Sequence, residues 1–136
     1  MKKSFNGVIA VLIVFSLIFS FMGLTAFADD EVKESGGRYT YIDSFSGSIN
    51  HGIIKTTVKT EITGKSSVTS VKIKMELQKL SDGSYSTVET WEQTFSGRTG
   101  SLEKSKVTNP LGTYRLKSTV TAYSGSNSES QTFYEY

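Results

Sequence analysis

Few residues in this chain are equipped for chemistry. His51 is its only histidine, and it has no cysteine. A serine or threonine nucleophile needs a base beside it, usually histidine. His51 sits in Ser48-Ile-Asn-His-Gly52, which reads as a turn between strands and so as a solvated side chain. Without cysteine there is no thiol nucleophile and no zinc site of the Cys/His type. Glu89 and Glu92 flank Trp91, and paired carboxylates can hydrolyse a glycoside. Their positions differ in parity, however, so on a regular strand they point to opposite faces. Asp43 and Asp82 lie near turns, and neither has a second acid at calcium-binding spacing. The acidic cluster Asp29, Asp30, Glu31 and Glu34 reads as a solvated tail. Lys65-Ser66-Ser67 has only Gly64 before it, which is not the glycine spacing of a phosphate loop. The expectation is a non-enzymatic protein with no catalytic residue, no metal ligand and no cofactor.

The aromatic residues carry the remaining signal. Tyr39 and Tyr41 fall in the first strand, and Tyr134 and Tyr136 at the end of the last. Together they would make an exposed patch suited to a sugar or a protein; the alternative is that they cover the ends of the core. Trp91, the single tryptophan, is either a core plug or a platform for stacking a sugar ring. The ligand-binding candidates are therefore Trp91, Tyr39, Tyr41, Tyr134 and Tyr136. Lys55 and Lys59 with Lys72 and Lys74 would form a basic row if one sheet carried all four.

The elements that must position these residues are strands. Val71, Ile73, Met75 and Leu77 alternate with Lys72, Lys74, Glu76 and Gln78. A period of two gives one buried and one wet face. Asp82-Gly83 supplies a hairpin turn, because both residues tolerate positive φ. On the return strand Tyr85, Trp91 and Phe95 share one parity and Val88 has the other, which suggests a bulge. Ile54, Thr56, Val58, Thr60 and Ile62 make a second alternating run, and Tyr114, Leu116, Ser118, Val120 and Ala122 a third. Further strands are expected over 38–45, ended by Ser46-Gly47-Ser48, over 102–107 and over 128–136. That is seven short strands separated by turn signals, the pattern of an all-β antiparallel sandwich.

The amino terminus reads as an address. Met1-Lys2-Lys3 precedes an apolar run from Val8 to Leu24, and Ala26 and Ala28 make a small-x-small site. This predicts a helical signal peptide over 1–28, cleaved after Ala28, then a flexible lead-in over 29–37 and a sandwich domain over 38–136. Removing residues 1–28 leaves 108 of the 136 residues, enough for one modest core. Lys2 and Lys3 leave with the signal, so the mature chain has 13 basic and 13 acidic residues. That neutrality argues against nucleic acid, and no second apolar run remains to hold the chain in a membrane after cleavage.

Gly112-Thr113-Tyr114 at the start of the penultimate strand resembles the Gly-x-Tyr of immunoglobulin-like and fibronectin-III-like sandwiches. That resemblance implies an immunoglobulin-like architecture in which the Tyr114 hydroxyl ties back to upstream backbone. It departs from the pattern in lacking a cysteine pair and in placing Trp91 on the fourth strand rather than the third. The run from Glu76 to Trp91, with Gly112-x-Tyr-Arg and Thr121-Ala-Tyr123, resembles uncharacterised small secreted proteins of Bacillus- and Clostridium-type Gram-positive bacteria. The combined expectation is a secreted or wall-associated sandwich that binds an extracellular glycan, wall polymer or protein. A different class, a released effector or a self-assembling surface subunit, remains the alternative.

Overall fold

The computed structural model describes Glu34–Ser35 and residues 38–136. The expected signal peptide, with Ala26 and Ala28, lies outside the described residues. The strands are β1 (Glu34–Ser35), β2 (Ile42–His51), β3 (Lys55–Gly64), β4 (Ser70–Ser81), β5 (Ser84–Ser96), β6 (Thr99–Val107), β7 (Tyr114–Ser124) and β8 (Asn127–Glu135). Every pairing is antiparallel, and there is no helix among the described residues. The first sheet has the order β1-β2-β3-β6 and the second β5-β4-β7-β8. The seven longer strands are the seven expected; β1 is a two-residue addition, within the stretch read as a lead-in, that pairs with Ser44 and Phe45.

The period of two explains the core. Thr56, Val58, Thr60 and Ile62 of β3, Val71, Ile73, Met75 and Leu77 of β4, and Leu116, Ser118, Val120 and Ala122 of β7 are all buried. The apolar ones among them face one another between the sheets and form one cluster with Ile42, Phe45, Val68 and Leu102. Burying each large aliphatic side chain contributes about 1.5–3 kcal/mol. Thr56, Thr60 and Ser118 are polar, as is the buried Gln78. The hydroxyls of Thr60 and Ser118 meet at 2.6 Å, joining β3 of one sheet to β7 of the other and satisfying both groups in a dry interior.

The β4–β5 hairpin turns at Asp82 (φ 52°) and Gly83 (φ 80°), both left-handed, as the Asp-Gly pair requires. The expected bulge is present. Leu77 pairs with Glu89 and Gln78 with Thr87, so Val88 is the extra residue.

Three boundaries differ from expectation. β2 begins at Ile42 rather than residue 38 and runs through Ser46-Gly47-Ser48 to His51. Gly47 was expected in a turn but lies inside the strand, because a Cβ there would come within 2.6 Å of the Phe133 ring. His51 accordingly ends a strand instead of occupying a turn. β3 starts at Lys55, leaving Ile54 outside it and 73% exposed. β6 begins at Thr99 because Gly97 (φ 89°) allows a tight link from β5.

Side chains fasten the two open sides of the sandwich. On one side Lys106 of β6 pairs with Glu89 of β5 at 2.7 Å. On the other, the Glu129 carboxylate on β8 accepts three backbone N–H bonds, from Thr40 (3.0 Å), Tyr41 (2.7 Å) and Ile42 (2.9 Å). Burial pushes this carboxyl up, but the three N–H donors and the nearby Lys65 outweigh it and hold it below the ordinary range. A depressed folded value means stability that is present at neutral pH and lost as pH falls through that value. The melting-temperature gap between the wild type and Glu129→Gln should therefore be widest near neutral pH and shrink below about pH 4. A gap that stays constant down to strong acid would show that the carboxylate does not hold this corner.

Candidate ligand-binding face

The bulge at Val88 sorts the aromatic residues of β5. Beyond it, Phe95 and Trp91 lie opposite Val71 and Met75 on the inner face, and both pack against the core. Before it, Tyr85 lies opposite Leu80 and shares the outer face with Thr87, which hydrogen-bonds to Gln78. One extra residue thus turns Tyr85 outward although it has the same parity as Trp91.

On that outer face Gln78 of β4 sits beside Arg115 of β7, and Lys117 beside Tyr134 of β8. The register brings Tyr85, Arg115 and Tyr134 together from three strands. The guanidinium carbon of Arg115 is 3.9 Å from the centroid of the Tyr85 ring and 4.5 Å from that of Tyr134. Its Nε donates to Gln78 Oε1 (2.8 Å), and its Nη1 to the Tyr136 hydroxyl (3.3 Å). The Tyr85 and Tyr136 rings meet edge-on at 6.4 Å. Cation–π contact and the Gln78 bond fix the plane of an otherwise flexible side chain. Tyr134 is 42% exposed and Tyr136 76%. The result is an exposed aromatic surface organised around a held cation.

The rest of the face is polar. Thr119 bonds Thr132 (3.0 Å) and Thr121 bonds Ser130 (2.7 Å) across β7 and β8. Lys72 pairs with Glu92 at 2.9 Å and Lys117 with Glu76 at 3.6 Å. Glu76 also accepts from Thr87. The two carboxylates flanking Trp91 do not converge: Glu89 engages Lys106, which with Thr90 holds its carboxyl low, and Glu92 engages Lys72.

The five candidates from the sequence therefore do not form one patch. Tyr134 and Tyr136 are on the outer face. Trp91 is half-buried between the sheets. Tyr41 is half-buried, and its backbone binds Glu129 and Lys65. Tyr39 packs against the core beside Phe45, with ring centroids 5.9 Å apart, and its carbonyl accepts from Lys65 Nζ. Tyr39 and Tyr134 still share the walls of a shallow groove of about 270 Å³ with Phe133. The basic row does not form either, since Lys55 and Lys59 lie on β3 of the first sheet and Lys72 and Lys74 on β4 of the second. Arg115 and Gln78 were not legible as site residues. The alternation places Arg115 outward, but only the cross-strand register puts it between two tyrosines.

His51 is tied up in structure. Its Nδ1 lies 2.7 Å from Thr56 Oγ1, its Nε2 3.3 Å from the Pro110 carbonyl, and its ring centroid 5.0 Å from that of Tyr114. These contacts join the β2–β3 and β6–β7 loops. Among the described residues no group of three or more His, Asp or Glu side chains is arranged to hold a metal ion. Comparison with protein families, curated proteins and solved structures gives no match to this chain.

Trp91→Ala should act on stability, costing about 2–3 kcal/mol in urea unfolding, less than a fully buried tryptophan because the ring is half-buried. Tyr136→Ala should shift the midpoint hardly at all. Equal effects of the two substitutions would contradict this division of roles.

Proposed function

We propose that the chain is a secreted, non-enzymatic binding module that holds an extracellular glycan or wall polymer on the outer face of the second sheet. The observation that carries this reading is the Arg115 guanidinium held between Tyr85 and Tyr134, with Tyr136 exposed beside it. An exposed ring suits a sugar, whose C–H faces stack on aromatics while its hydroxyls reach polar neighbours. Thr87 and Arg115 supply polar groups beside the rings, both braced by the buried Gln78.

An immunoglobulin-like, fibronectin-III-like architecture belongs to the same proposal. Two features support it. β5, the return strand of the β4–β5 hairpin, joins β4, β7 and β8 rather than the β2-β3-β6 side. The Asn109 N–H donates to the Tyr114 hydroxyl at 3.2 Å, the backward tie that the Gly-x-Tyr resemblance implied. Export fits the apolar amino-terminal run and the Ala26/Ala28 site.

One observation favours a second reading, an assembly subunit. Among the described residues β1 covers only Ser44 and Phe45 of the ten-residue β2, and no other described strand pairs with that edge. Light scattering separates the two: a binding module gives the monomer mass, whereas an assembly subunit gives a multiple that Ser48→Pro abolishes.

The direct test of the binding module is co-sedimentation of the purified chain with Gram-positive cell walls. The chain should pellet with the walls. Tyr134→Ala and Tyr136→Ala should each weaken binding about two- to tenfold, with the melting temperature unchanged within a degree or two. Full recovery in the supernatant would overturn the reading.

A further inference from the structure

The charges on the second sheet are not balanced. Its outer face carries Lys72, Lys74, Arg115 and Lys117 against Glu76 and Glu92, two more cations than acids. The corresponding β3 and β6 residues of the first sheet, Lys55 and Lys59 against Glu61 and Glu103, cancel. The surplus is not taken up within the fold. Lys72 and Lys117 have acidic partners, whereas Arg115 has none among the described residues. Its hydrogen bonds use Nε and Nη1, both to neutral groups, and no described residue accepts from Nη2. A guanidinium in this state keeps its full charge and a free edge, and its plane is already fixed by two rings. That arrangement suits an oxyanion bound edge-on.

We infer that the ligand of this face is an acidic polysaccharide, with a carboxylate or phosphate of one unit seated on Arg115 and the adjoining unit stacked on Tyr136 or Tyr134. This rests on the binding-module reading above and adds the class of ligand. The Arg115 side chain supplies the paired hydrogen bonds, the exposed rings supply the sugar contact, and Lys74 supplies long-range attraction. Glu76 does not compete for Arg115, since Lys117 and Thr87 engage it. Order on binding costs little because the cation is held before the ligand arrives.

The test is calorimetric titration of the purified chain with three polysaccharides: polygalacturonate, a phosphomannan and the neutral dextran. At least one acidic polymer should bind about tenfold or more tightly than dextran, and the ranking of the two distinguishes carboxylate from phosphate as the group recognised. Arg115→Gln should lose about tenfold in affinity for that polymer. Arg115 braces neighbouring tyrosines, so Lys74→Glu serves as a second variant. It leaves the Arg115 contacts intact and should weaken polyanion binding by roughly threefold at low salt, an effect that fades as salt rises. Dextran binding as tightly as both acids, with sensitivity to Tyr136→Ala, would overturn the acidic class and leave the glycan-binding reading standing. An acidic polymer that binds unaffected by both Arg115→Gln and Lys74→Glu would also overturn it. Failure of all three polymers to bind, while whole cell walls still pellet the chain, would overturn the acidic class alone.

Discussion

The structure depends on burying two alternating apolar faces against each other, with one polar stitch between them. Without cysteine, nothing covalent closes this small domain. The Ile, Val, Leu and Met side chains of β3, β4 and β7 supply the cohesion, and they are interchangeable within limits of volume. The Thr60–Ser118 pair is different. Two hydroxyls bonded at 2.6 Å in a dry core are satisfied in one sheet-on-sheet alignment, and a slip of one residue would leave both unpaired. An unsatisfied buried hydroxyl costs about 1–3 kcal/mol, a large fraction of the margin by which a domain of this size is stable. The pair therefore fixes how the sheets are registered, beyond the fact that they adhere.

That registration reaches the outer surface. β7 carries Ser118 inward and Arg115 outward, so the alignment that seats Ser118 on Thr60 also sets where Arg115 emerges. The β4–β7 register places it next to Gln78, the β7–β8 register brings Tyr134 beside Lys117, and the bulge at Val88 turns Tyr85 toward it. Each contact is local, but the constellation is a product of four strands. A held cation between two rings is hard to assemble on a flexible loop and easy on a sheet, where spacing is fixed by the ladder.

Much of this was legible in the sequence. The alternation in β4 and β7 gave the correct buried faces, Asp82-Gly83 gave the turn, and the mixed parity of Tyr85, Trp91 and Val88 signalled the bulge. What failed were positions where local composition and tertiary context disagree. Ser46-Gly47-Ser48 has turn chemistry, but the glycine is required inside β2 because Phe133 approaches the backbone there. Tyr39 and Tyr41 look like edge aromatics, but the Glu129 and Lys65 contacts draw that segment onto the sandwich. The site was less legible than the fold for a related reason. Two of its tyrosines stand out by type, whereas Arg115 and Gln78 acquire their role only from pairing register, which no single strand encodes.

The outer face of the second sheet is the surface proposed to meet the ligand. The most direct measurement is an amide chemical-shift map of the labelled chain titrated with polygalacturonate and a phosphomannan. Shifts should be confined to Gln78, Tyr85, Arg115, Lys117, Tyr134 and Tyr136. Shifts centred instead on the exposed aliphatic residues Ile53, Ile54 and Leu111, with Arg115 silent, would contradict it.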